Sequence, residues 1–414
     1  MFHSTALLSL VALALVANAE PILRRVDTPL VTLKTAKRVN STGAVNLLAR
    51  DQARARVLKT GASPLSFKNA GIVSSVPATN QAADYTVEVQ IGNPPTSYKL
   101  ILDTGSSNTW VGSDQPYIQT STSVQTKDRV AVVYGFGDMQ GTEFNDKVSL
   151  NDGLNVFGQS IGVATSSHGF DGVDGVIGLG PNDLTVGTLS PDTSTIIPTV
   201  TDNLFSQAVI SQNQVAVSFQ PTNSFPNVNG EITFGGTDSS KFVGSINFAP
   251  ITKTSPATNF WGIDESIRFG TTQILAKSPG VVDTGTTLTL IASEAFTKYK
   301  QLTGGQPNDI TGLLQISSAQ FSALKSLFFN INNVDYEFTA DAQIWPRSLN
   351  GAIGGQPGDI FLIIGDIGTK SGSGLDIING FTFLERFYSV FDTANKKVGL
   401  ANTPFTRATT NFNG

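Results

Sequence analysis

The run Leu100-Ile101-Leu102-Asp103-Thr104-Gly105-Ser106-Ser107-Asn108-Thr109-Trp110 returns 180 residues later as Gly280-Val281-Val282-Asp283-Thr284-Gly285-Thr286-Thr287-Leu288-Thr289-Leu290. In each copy an aspartate closes an apolar, strand-like run and opens an Asp-Thr-Gly turn. A period this long marks a duplicated lobe rather than a solenoid unit. Farther along each half an apolar pair runs into glycine, at Val176-Ile177-Gly178 and at Ile377-Ile378 with Gly380 one residue late. An aspartate behind a buried strand is costly to desolvate unless its oxygens are held by hydrogen bonds. Gly105 and Gly285 are placed to present backbone N–H groups, Ser106 and Thr286 to donate from their hydroxyls, and Thr104 and Thr284 to tie the two loops together. One such turn is as readily structural as chemical, but two in matching contexts point to a carboxylate pair. Two carboxylates within about 3 Å share one proton over an acidic range. The ionised member can then take a proton from water while the other polarises a carbonyl.

Outward from these turns the text is strand-like. From Asp84 the residues Tyr85, Val87, Val89 and Ile91 alternate with polar neighbours and end at a Gly92-Asn93-Pro94-Pro95 turn. Only 14% of residues are charged, 40% are apolar and 40 of 414 are glycine; this composition favours short strands and tight turns over long helices and supplies a large core. The expected fold is mainly β, in two lobes of 74–250 and 251–414. The chain has no cysteine, which excludes thiol catalysis, cysteine-bound zinc and disulfides. His168 is the one histidine after the leader, in a Ser166-Ser167-His168-Gly169 loop context. One imidazole supplies neither a zinc site nor a triad. No metal and no cofactor are expected.

The N-terminus differs from the rest. Residues 6–17, ALLSLVALALVA, are too short to span a bilayer and lead into Ala17-Asn18-Ala19, a small-x-small cleavage sequence, so 1–19 is read as a signal peptide. Residues 1–75 hold 10 Lys+Arg against 3 Asp+Glu, leaving 17 basic and 29 acidic residues in the remainder. The segment 20–73 is either a solvated basic tail or an activation prosegment that inhibits the acidic body until carboxylates protonate. It carries one helix-like patch, Leu47 to Leu58, broken by Gly61, Ser63 and Pro64, and the one glycosylation sequon, Asn40-Ser41-Thr42. A body this acidic is not expected to bind nucleic acid. A monomer without membrane attachment is expected, outside the cell or in an acidic, vacuole-like compartment.

The run Ile101 to Val111 and the run Gly175-Val176-Ile177-Gly178-Leu179-Gly180 resemble the pepsin family of aspartic proteases, a likeness that extends from about Asp84 to the C-terminus. The resemblance implies a bilobal fold with β-barrel-like lobes related by pseudo-twofold symmetry, a cleft between them, Asp103 and Asp283 as the catalytic pair, and polypeptide substrates. It also implies that Val132-Val133-Tyr134-Gly135-Phe136-Gly137 is the flap. Read from the sequence alone, Tyr134 is equally an ordinary cross-strand aromatic; in the family this tyrosine closes over substrate and bonds the indole matching Trp110. Two departures stand out. Phe136 replaces an acidic or small polar residue, which implies a preference for bulky apolar residues before the scissile bond. Asn379-Gly380-Phe381 replaces the usual Leu-Gly-Asp. In related zymogens a lysine lies against the dyad, for which Lys59 and Lys68 are the candidates.

Other readings fare less well. The run around Asp283 resembles the phospho-aspartate loop of cation-pumping ATPases, which needs a lysine after the aspartate and a nucleotide domain. Paired-carboxylate glycosidases place their acids on separate strand ends rather than in duplicated turns. A noncatalytic binding protein or inhibitor on the same fold remains as the alternative, and such relatives typically lose one aspartate or the flap tyrosine.

Overall fold

The alternation that begins at Asp84 forms strand β2 (Ala83–Ile91), with Tyr85, Val87, Val89 and Ile91 all buried. The computed structural model describes residues 30–39, 46–61, 83–150, 154–225 and 227–412. After the turn at Gly92, whose φ of +91° favours glycine, strand β3 (Thr96–Asp103) returns antiparallel to β2. Its apolar half, Leu100 to Leu102, is buried and delivers Asp103 at the strand end.

Strand β4 (Trp110–Val111), the hairpin of β5 (Val124–Val133) and β6 (Asp138–Ser149), and β7 (Asn155–His168) complete this half with β8 (Gly175–Gly178). β8 lies parallel to β3, with Asp103 opposite Gly178. The second half repeats the device. Strand Thr272–Val282 runs parallel to Ile377–Asn379, Val282 opposite Asn379, and Thr289–Ile291 pairs antiparallel with the latter. The sequence repeat is therefore a structural one, and the fold is the expected mainly β, bilobal one.

Among the described residues, strands gather into a fourteen-stranded sheet and a seven-stranded sheet, with a small three-stranded one besides. The late strands Phe387–Asp392 and Lys397–Asn402 return to the first sheet, the former pairing with Gln214–Phe219, so the end of the chain is laced to its first half.

Two stretches of the basic segment form regular structure. Strand β1 (Val31–Val39) lies between β2 and strand Asn227–Phe234, antiparallel to both. Helix α1 (Leu47–Thr60) coincides with the helix-like patch; the Asn46 side chain accepts from Ala49 N at its start and Gly61, at φ +75°, closes it. Residues 1–19, the Asn40 sequon, Lys68 and the boundary near 73 lie outside the described residues. No helix among the described residues is long and apolar enough to cross a membrane.

Candidate active site

Both Asp-Thr-Gly turns converge, and their hydrogen bonds are paired almost atom for atom. Gly105 N donates to Asp103 Oδ1 at 2.9 Å and Ser106 Oγ to Oδ2 at 2.5 Å. Gly285 N donates to Asp283 Oδ1 at 3.0 Å and Thr286 Oγ1 to Oδ2 at 2.6 Å. Beneath them Thr104 N donates to Thr284 Oγ1 and Thr284 N to Thr104 Oγ1, at 2.9 and 3.0 Å. Each threonine hydroxyl then donates to the strand before the opposite aspartate, Thr104 to Val282 O and Thr284 to Leu102 O. This lattice locks the loops together, so neither carboxylate can move without the other's support. Asp103 and Asp283 are 2% and 0% exposed.

Between the carboxylates sits a guanidinium. Arg54, from the middle of α1, donates from Nη2 to Asp103 Oδ1 at 2.7 Å and from Nε to Asp283 Oδ2 at 3.2 Å. Burial pushes Asp103 above the usual carboxylate range, with the like charge of Asp283 adding to this and Arg54 opposing it. Burial pushes Asp283 the same way, but there the charge and hydrogen bonds of Arg54, with Thr286 and Gly285, win and hold it low. The two titrate as one unit. Arg54 itself stays charged: burial opposes the charge and the two carboxylates outweigh it.

For Lys59 the expectation is thus corrected, while Lys68 lies outside the described residues. Lys59 donates to Thr369 Oγ1 at 2.7 Å, away from the dyad. Five residues separate Lys59 from Arg54, and 3.6 residues per turn place the two on different helix faces. The signal for Arg54 was present in the sequence as spacing: Leu47, Arg50, Asp51, Arg54, Ala55 and Leu58 form the buried face of α1. Asp51 Oδ2 accepts from Leu288 N at 2.7 Å, and burial pushes its carboxyl up to about 6 against the pull of Arg50.

The segment Tyr134 to Gly137 is the turn between β5 and β6, closed by Tyr134 N donating to Gly137 O. Tyr134 is buried and its hydroxyl accepts from Trp110 Nε1 at 2.7 Å. Phe170 packs edge-on against both rings, at 4.8 Å from Trp110 and 5.2 Å from Tyr134. The turn presses on α1. A Cβ on Gly135 would stand 2.5 Å from Ala53 O, so only glycine fits beneath the helix.

The departure at Asn379-Gly380-Phe381 resolves into a rearranged charge pattern. Phe381 is buried under the second loop, its N donating to Thr286 O, and its ring meets Tyr85 edge-on. A carboxylate stands one turn later instead: Glu385 accepts from Lys37 Nζ of β1 at 2.7 Å and from the Tyr85 hydroxyl at 2.8 Å. Lys37 Nζ also lies 5.1 Å from the Phe381 ring centroid. Among the described residues no group of His, Asp and Glu has the arrangement of a metal site.

A family model described as eukaryotic aspartyl protease matches residues 84–403. The chain belongs to this family. It is 61% identical over 338 residues to polyporopepsin of Irpex lacteus, covering 81% of this chain and 99% of that protein. Rhizopuspepsin-1 of Rhizopus niveus is 30% identical over 380 residues, covering 88% and 92%. The crystal structure of the aspartic proteinase from Irpex lacteus superposes with a TM-score of 0.80 at 52% identity, covering 92% of this chain and all of that one. The chain is an aspartic endopeptidase.

Proposed function

We propose that this endopeptidase is made as an exported, inactive precursor. Residues 1–19 are removed as a signal, residues 20–73 act as the inhibitory prosegment, and lobes 74–250 and 251–414 form the enzyme released outside the cell or into an acidic compartment. The observation that carries this reading is Arg54, buried on both aspartates from a helix that fills the cleft. Five basic side chains of the segment, Lys34, Lys37, Arg38, Arg50 and Arg54, reach Glu231, Glu385, Asp84 and the dyad. Protonation of those carboxylates removes the attraction, so acid releases the segment.

Once Arg54 leaves, the dyad retains its donors and holds one proton between two buried carboxyls. The ionised member takes a proton from water as the water attacks the peptide carbonyl. The protonated member polarises the carbonyl oxygen, and the leaving amine receives the proton as the C–N bond breaks. Tyr134 and Phe136 close over an extended peptide and exclude bulk water. Their rings favour bulky apolar residues before the scissile bond, so a peptide with lysine there is expected to be cut poorly.

The test is acid cleavage of a protein substrate after acid processing. Processed enzyme should be active and blocked by a pepstatin-like transition-state mimic, with the untreated precursor silent near neutrality. Asp103→Asn and Asp283→Asn should each lower kcat/KM by about 10³-fold or more, since each removes an acid–base group. Correctly processed protein that turns over no peptide would favour the noncatalytic alternative.

A further inference from the structure

Besides the threonine lattice, a second route joins the two aspartates. Leu179, one residue past β8, donates its N–H to Asp103 O at 2.8 Å, and its carbonyl accepts from Trp261 Nε1 at 2.9 Å in a buried bond. Trp261 stands one residue before strand Gly262–Phe269, and its own carbonyl accepts from Val282 N at 3.1 Å. Val282 leads directly into Asp283. One residue of the second half is therefore tied by its carbonyl to the backbone before Asp283 and, through Leu179, by its side chain to Asp103. The indole is aimed by its surroundings. It is buried, and Phe391 packs against it with 5.4 Å between ring centroids; Phe391 belongs to the strand that pairs with Gln214–Phe219 of the first sheet. The turn that carries Leu179 is fastened on its other side as well, by Gly180 N donating to Ser106 O at 2.8 Å and Ser107 Oγ to Pro181 O at 2.6 Å.

We propose that Trp261 is a positioning residue for the catalytic pair, a strut between the lobes that sets how Asp103 faces Asp283. The proposal rests on the reading of the two aspartates as an acid–base pair. The threonine lattice gathers its bonds at one place between the loops, where it fixes their separation and opposes twisting only weakly. A tether through other atoms opposes the twist. Removing the indole N–H leaves every hydrogen-bond donor to the two carboxylates in place, so its effect is confined to the angle and distance between them. Two carboxyls share a proton because they are close, and closeness drives their two apparent pKa values apart. A pair turned out of register shares the proton less well, so those values approach each other and the bell-shaped pH dependence of kcat narrows from both sides. The other charged and titratable groups facing the pair are Arg54 and Asp51, both in the segment that processing removes, and Tyr134, which the compared enzymes share. Peptide binding under the flap is left as it was, so KM changes little.

The experiment uses acid-processed enzyme and one quenched-fluorescence peptide with an apolar scissile pair. Working sites are counted by titration with a pepstatin-like mimic, so that kcat is expressed per folded site. Trp261→Phe keeps an aromatic ring and removes the N–H. It should lower kcat about tenfold, the scale of one buried carbonyl losing its donor, and leave KM within about twofold of the wild type. The two limbs of its kcat profile should lie closer together in pH than those of the wild type. A second variant guards against poor folding: benzothienylalanine at position 261 keeps the shape of the indole with sulfur where the N–H stands, and it should show the same fall and the same narrowing. Wild-type kcat and limbs in the benzothienylalanine enzyme overturn the proposal. So does a lowered kcat with both limbs unmoved, which assigns Trp261 to packing alone. A wild-type profile without two acidic limbs would instead refute the acid–base reading of the pair itself.

Discussion

At the scale of single residues, the arginine on the dyad decides how the block proposed above would be released. A guanidinium this well paired keeps its charge throughout the range in which the protein works, so the pH trigger must lie on the carboxylate side. The pair, raised on the Asp103 side by burial, takes up protons as one unit as pH falls, and each proton taken weakens Arg54's hold. Truncating one partner of a buried charge pair costs about 3–5 kcal/mol. Arg54→Gln in the full-length precursor should therefore raise the initial rate on a small peptide near pH 6 by at least about tenfold over the wild-type precursor. Arg54→Lys should fall between them, because an ammonium cannot span both aspartates with fixed donors. Equal initial rates for all three precursors would show that the bulk of α1, pressed against Gly135, blocks the cleft without help from this side chain.

At the scale of elements, the strands were legible and the partners of the N-terminal segment were not. Alternation alone placed Tyr85, Val87, Val89 and Ile91 in the core, and the duplicated turns located both aspartates and their donors. Strand β1 escaped notice because its buried side, Val31, Leu33, Thr35 and Lys37, ends in a lysine, a residue that rarely loses all contact with water. Its burial depends on Glu385, 348 residues away, which no local pattern reveals. Helix α1 was visible as a helix, but half of its buried face is Arg50, Asp51 and Arg54, so an apolar-stripe test cannot assign it to a cleft lined with carboxylates. The hairpin of β5 and β6 lay between these cases: Tyr134 read equally as a cross-strand aromatic, and its hydroxyl accepts from Trp110 Nε1. That contact predicts that Tyr134→Phe, which leaves the buried Trp110 Nε1 without its acceptor, will cost about 1–3 kcal/mol of closed-flap stability. The expected reading is a roughly tenfold fall in kcat/KM of the processed enzyme, with the thermal midpoint moved by only a few degrees. An unchanged kcat/KM would show that the Tyr134 hydroxyl does not hold the flap.

At the scale of the whole molecule, one buried group makes a pH dependence of stability measurable. Glu265 is fully buried in strand Gly262–Phe269. Its Oε1 accepts from Asn379 Nδ2 at 2.8 Å, and Oε2 has no hydrogen-bond partner among the described residues. Burial pushes its carboxyl up to about 8, against the Asn379 hydrogen bond and with Asp264 adding to the rise. An unfolded glutamate titrates at about 4.3. The folded state thus binds the proton more tightly than the unfolded one. The stability contributed by neutral Glu265 is complete below about pH 4.3, declines as pH rises, and is lost once pH passes about 8. Glu265→Gln carries no charge at any pH, so the variant and wild type should show similar denaturant midpoints near pH 4. Their midpoints should then diverge, with the glutamine variant the more stable at pH 8 by on the order of a few kcal/mol. Parallel curves across pH 4–8 would assign the alkaline loss to another group. Asn379, whose side chain donates to Glu265, also accepts from Asp283 N through its carbonyl at 3.1 Å, so a loss of structure around ionised Glu265 reaches the second aspartate. Activity retained after a brief alkaline exposure should therefore follow the same pH midpoint as stability, and should persist to higher pH in the glutamine variant.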